Sequence, residues 1–202
     1  MGARRTRAKD LRRRTATRPE RKTVVVFCEG EASEPDYLRA LKRLPSVRDN
    51  TSINVEIAPE QGVPLTLVRC AIDRSNDDEV DECWCVFDVE WPKQHPNLMR
   101  AIRLAQEHGI RLAISNPCFE LWLILHLEDQ TAFLDTAAAE RLSRKLDGRS
   151  GKRIDGDRYV CLRDTAKERA ARLARRHERN GTAFPQDNPA SSMHELLAAI
   201  EP

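Results

Sequence analysis

The acidic residues of this 202-residue chain fall at spacings that can do chemistry. In VVVFCEGEASEPDY (24–37), Glu29 and Glu31 flank Gly30 directly after an apolar run, and Glu34 and Asp36 follow. In CWCVFDV (83–89) and the next residue, Asp88 and Glu90 stand two apart, so extended backbone points both to one face. Carboxylates held this close repel and raise each other's pKa unless a cation lies among them. Oxygen-rich clusters suit Mg2+ or Mn2+, which expects a metal held by Glu29, Asp88 and Glu90. Gly30 would let the backbone turn sharply beside that metal. The bland alternative makes each acid a strand-end or surface residue.

These acids need elements to bring them together. TVVVFC (23–28) is a continuous β-branched run of the kind found in strands buried on both faces. SINVEIA (52–58), CWCVFDV (83–89) and IRLAISN (110–116) read as three more strands. Between them lie helical stretches: EPDYLRALKRL after Ser33 as N-cap, LTLVRCAID opened by Pro64, and NLMRAIRLAQEHG ending on Gly109. The alternation predicts an α/β domain over 23–130 with a mostly parallel sheet flanked by helices. Ligands of such sheets bind at the carboxyl ends of the strands, where Glu29, Asp88 and Glu90 fall. After about residue 130 no strand pattern is convincing. TAAAERLSRKL and DTAKERAARLARRHERNG are helical, the second with Asp164 as N-cap and Gly181 as stop, so 131–202 is expected as a helical extension packed on the domain.

Charge is distributed unevenly. Residues 1–22 carry ten Lys/Arg against two acids, 23–130 ten against nineteen, and 131–187 fourteen against nine. The first stretch, which includes Arg12, Arg13 and Arg14, reads as a flexible basic arm, either merely solvated or suited to a polyanion. Along the last long helix, Arg172, Arg175, Arg176 and Arg179 recur at spacings of three and four, as a solvated face or a phosphate-tracking ridge. The six cysteines sit mostly in apolar runs without a C-x-x-C pair, which disfavours zinc and predicts reduced core thiols. There is no apolar run of membrane-spanning length and no signal-peptide pattern, so a cytoplasmic protein is expected.

Further candidates lie in SNPCFELWLILHL (115–127). Glu120 falls in the first turn of a helix opened by Pro117, as a further ligand or as an acid favouring the helix dipole. Phe119, Trp122 and His126 share one face, which reads as a core stripe, with His126 either a satisfied core residue or a donor to a phosphate. Glu31 and Glu34 either join the site or only favour the start of the first helix. Asn116 and His194 are expected as supporting residues of the site, and Ser191 belongs with His194 to a terminal segment that sequence does not place.

Taken together, VVVFCEGEASEPDYLRAL, CWCVFDVE, SNPCFELWLILHLED and NPASSMHELLAAI resemble the ordered motifs of RloB-like proteins, from about residue 22 to the end. The resemblance implies a Toprim-like fold, an association with restriction–modification genes and phage defence, and nucleic acid as partner. In that fold a Glu closing the first strand acts as acid/base or metal ligand and an Asp-x-Asp holds Mg2+, which maps onto Glu29, Asp88 and Glu90. The expected activity is a Mg2+-dependent nuclease; the alternative is a weak or inactive binding or docking module. This chain departs from the pattern at Glu90, whose carboxylate reaches about 1 Å further than an aspartate's. No GxxxxGK[ST] loop is present, so an ATPase partner encoded nearby would supply any nucleotide hydrolysis. Tyr37 and Tyr159 lack the context of a topoisomerase tyrosine. Self-association is an open expectation.

Overall fold

The computed structural model describes residues 21–57 and 63–201; Arg12, Arg13 and Arg14 lie outside the described residues. Four parallel strands form the sheet: β1 (Lys22–Cys28), β2 (Thr51–Ile57), β3 (Glu82–Asp88) and β4 (Arg111–Asn116). A fifth, β5 (Ala190–Ser191), joins antiparallel to β4, and the order is β2-β1-β3-β4-β5. Because side chains alternate across a strand, Val24, Val26 and Cys28 enter one core while Val25 and Phe27 enter the other. That is why β1 is apolar from Val24 to Cys28: both of its faces are covered there.

One face is packed by α3 (Pro64–Ser75) and α4 (Leu98–Glu107). The other carries α1 (Ser33–Arg43), α5 (Phe119–Leu127), α8 (Arg163–Arg179) and α9 (Met193–Ile200). Two short helices escaped the periodicity reading, α2 (Pro45–Arg48) and α7 (Gly156–Val160). α6 (Thr136–Asp147) is capped by Asp135, which accepts from the Ala138 N–H at 2.6 Å, and closes on Gly148 with φ 78°. The fold class expected from the alternation is therefore present.

Several boundaries differ from expectation. Lys22 is the first residue of β1 rather than the end of an arm, and its ammonium pairs with Glu82 at 2.8 Å. Ser33 is the first helical residue of α1, behind Ala32, and Asp164 lies inside α8, which starts at Arg163. β5 sits where no strand was expected. Its pairing is carried by polar groups that leave no hydrophobic alternation: Ser115 and Ser191 hydroxyls meet at 3.0 Å, and the Ile114 N–H donates to Ser192 Oγ at 2.8 Å. The last helix returns to the first strands. Lys22 Nζ donates to the Ala199 carbonyl at 3.4 Å, and Thr51 Oγ1 to that of Ile200 at 3.0 Å. All six cysteines are free, four of them buried. Among the described residues no helix is long and apolar enough to cross a membrane.

Candidate active site at the carboxyl edge of the sheet

β1 and β3 are neighbours, so their carboxyl ends deliver Glu29 and Asp88 side by side. The Asp88 N–H donates to Glu29 Oε2 at 3.3 Å, and His95 Nε2 lies 3.0 Å from Glu29 Oε1, a close approach without hydrogen-bond alignment. A cavity of about 500 Å³ opens over these groups. Glu29, Glu31, Glu34, Asp88, Glu90, Glu120 and Glu140 line it, against the single ammonium of Lys152. Glu31 and Glu34 thus do reach the site.

Such crowding is costly. Burial pushes Glu29 up to about 7, relieved by the Asp88 N–H and reinforced by Glu34 and Glu90. Asp88 is raised well above the usual carboxylate range by burial, then by Glu34, Glu29 and Glu120. Its Oδ1 is buried with no hydrogen-bond partner among the described residues. Glu34 is 6% exposed and likewise raised, first by burial.

Gly30 is needed here for space rather than for the sharp turn expected of it. A Cβ at that position would stand 2.5 and 2.7 Å from the two carboxylate oxygens of Glu34. Glu90 departs further from expectation. β3 ends at Asp88, and Glu90 adopts φ 65°, with its N–H donating to the Pro117 carbonyl at 2.9 Å. A left-handed conformation costs a non-glycine residue about 1–2 kcal/mol. The extended-chain rule that aims Asp88 and Glu90 the same way therefore fails between them. Among the described residues, as placed, no group of three or more His, Cys, Asp or Glu side chains converges to hold a metal ion.

Glu120, in the first turn of α5, faces Arg149, whose Nη2 lies 3.6 Å from Glu120 Oε1. Arg149 is itself 9% exposed, pairs with Asp147 and donates to Ser143 Oγ at 2.9 Å. The helical part thus contributes walls to the site. Thr136 and Glu140 come from α6, whose start is tied down where the Trp91 N–H donates to Thr136 Oγ1 at 2.9 Å and the Thr136 N–H to the Trp91 carbonyl at 3.1 Å. Sequence reasoning missed His95, Arg149 and Lys152. Each comes from a connecting segment and follows no periodicity.

Other expected residues lie elsewhere. His126 is 2% exposed in the core, its Nδ1–H donating to the Trp122 carbonyl at 2.8 Å and its Nε2 accepting from the Tyr37 hydroxyl at 3.1 Å. Asn116 and His194 line a second cavity of about 330 Å³ with Ser191 and His177. The Asn116 amide there donates to the Pro185 carbonyl at 3.0 Å and to Asp187 Oδ1 at 2.9 Å. On α8, Arg172 pairs with Asp129 at 2.5 Å and Arg176 donates to the Thr131 carbonyl at 2.8 Å, so half of the arginine row clamps the segment after α5.

A family model described as RloB-like protein matches residues 24–200. No curated protein and no solved structure matches the chain.

Proposed function

The chain belongs to the RloB-like family, and on that premise we propose that it is a Mg2+- or Mn2+-dependent nuclease with a Toprim-like active site over Glu29 and Asp88. The observation that carries this reading is the Asp88 carboxylate, buried with one oxygen unpaired in a cavity of seven carboxylates and one ammonium. A divalent cation fits that donor set, because it removes the repulsion and partners the orphaned oxygen. Glu29 and Asp88 would hold it, and Glu34 and Glu90, which line the same cavity, would have to move in to join them. When bound, the metal supplies Lewis-acid polarisation of a phosphate oxygen. The remaining roles fall to the chain. Lys152 holds a non-bridging phosphate oxygen, His95 fixes the orientation of Glu29, and Glu29 accepts or returns the proton of the attacking water. Anti-phage defence, with an ATPase partner encoded nearby, is the setting we propose for this activity.

A second reading has its own support: among the described residues no three such side chains converge on one point, and Glu90 is turned away from extended geometry. Those features favour a binding or docking module without turnover. One comparison decides between them. Full-length protein is incubated with DNA and RNA plus Mg2+ or Mn2+, with and without the ATPase, beside Glu29→Gln. Its melting is followed with Mn2+ beside Asp88→Asn. The nuclease reading expects cleavage that Glu29→Gln loses and Mn2+ stabilisation that Asp88→Asn loses. Oligonucleotide binding with neither effect establishes the module instead.

A further inference from the structure

At the opposite, amino-terminal edge of the sheet, a cleft of about 570 Å³ is lined by Arg21, Lys42, Arg43, Arg48, Thr51 and Ser52. Four of these six are cations, and none of the described lining residues is an acid. Not every basic cleft on the molecule lacks acids. The cleft between α3 and α4, for instance, sets Arg69, Arg100 and Arg103 against Asp73 and Glu107. In the basic cleft the compensation is slight. Arg43 reaches Asp157 at 2.6 Å and Arg48 reaches Asp49 at 3.4 Å, but every partner in these pairs is at least 60% exposed. Solvent screens such pairs to little net value. Arg21 is held at the cleft by donating to the Arg48 carbonyl at 3.1 Å. From Arg21 the sequence runs back into residues 1–20, which hold eight Arg or Lys against Asp10 and Glu20.

Guanidinium and ammonium groups massed without matching acids recognise phosphate oxygens, and a polyanion gains most from them through counterion release. We infer that this cleft binds the sugar–phosphate backbone of a nucleic acid. The site stands a sheet's length from the acidic cavity, because Lys22 and Thr51 begin the strands whose neighbours end at Glu29 and Asp88. Six strand steps make that roughly 20 Å, or about six phosphates along one strand. The substrate is therefore held at a pole remote from the acidic cavity, and only a strand lying along the molecule reaches the carboxylates. This assignment rests on the proposed function for the choice of nucleic acid, but its measurement needs no cleavage.

The test uses the full chain without divalent cations. A labelled single-stranded oligonucleotide is titrated by fluorescence anisotropy over a range of salt, for the parent, for Lys42→Gln/Arg48→Gln and for a control, Arg100→Gln/Arg103→Gln. Two lost phosphate contacts make the slope of log affinity against log salt shallower by about 1.4, and weaken binding roughly 25-fold at about 0.1 M salt. The control keeps the parent's slope. The substituted side chains of the cleft are exposed, and unchanged thermal melting verifies that the fold is intact. An unaltered slope in the cleft variant overturns the assignment, as does an equal loss in the control. Binding to phosphatidylglycerol vesicles with none to the oligonucleotide also overturns it. If cleavage fails in the comparison of Glu29→Gln but the slope changes as expected, the nuclease reading falls and this site stands.

Discussion

At the scale of single residues, the pairing of Gly30 with Glu34 makes a sharp case. The carboxylate of Glu34 occupies the space a β-carbon would need, so Gly30→Ala must push a buried acid out of place. Core overpacking typically costs about 1–3 kcal/mol, and because the displaced carboxylate ends a flexible side chain at the cavity wall, the low end of that range is expected. Gly30→Ala is expected to lower the melting temperature, and Gly30→Ala/Glu34→Ala to recover most of the loss relative to Glu34→Ala alone. A double-mutant cycle in thermal melts checks the coupling; strict additivity would mean that the two do not compete for the same space. Glu29 and Asp88 were legible in the sequence because each ends a run too apolar to be anything but a buried strand. Glu90 was legible as an acid near the site but not in its direction, since a left-handed φ depends on the Pro117 carbonyl that receives its N–H. His95 and Arg149 were illegible: their roles come from contacts with Glu29 and Glu120, which lie 66 and 29 residues away.

Among the elements, the relation of α8 to α5 shows why a row of arginines need not face a ligand. Arg169 is 19% exposed and donates to the Leu125 carbonyl at 2.8 Å, in the last turn of α5 where helix carbonyls lack partners. Arg172 also reaches this segment, through Asp129, but both groups of that pair are more than half exposed. Arg169→Gln should therefore cost about 1–3 kcal/mol, as for a charged donor to a buried carbonyl. Arg172→Gln should cost about 0–1 kcal/mol. Urea denaturation of the two variants ranks them; equal losses would contradict the division between anchoring and surface pairing. The four parallel strands were readable from apolar runs. β5 was not, because two residues held by serine hydroxyls carry no periodic signal.

For the molecule as a whole, acid stability turns on one imidazole in the core. Burial pushes His126 down to about 4 from its ordinary 6.5. Above pH 6.5 it is neutral in folded and unfolded chains alike and costs nothing. As pH falls from 6.5 to 4 the unfolded chain takes up a proton that the folded one refuses, so stability is lost over that window, by about 3 kcal/mol from this group. His126→Phe leaves the Tyr37 hydroxyl unpaired, so it is expected to be less stable than the parent at pH 7, by about 1–3 kcal/mol. Its stability should fall more gently from pH 6.5 to 4, because the raised carboxyls contribute to both proteins. Denaturation at several pH values checks this, and parallel profiles would show that His126 does not set the acid limb. The same fold has a further consequence at its closing seam, where Lys22 and Thr51 reach the carbonyls of Ala199 and Ile200. The end of α9 thus pins the starts of two neighbouring strands, so Thr51→Val is expected to loosen both and to lower the melting temperature.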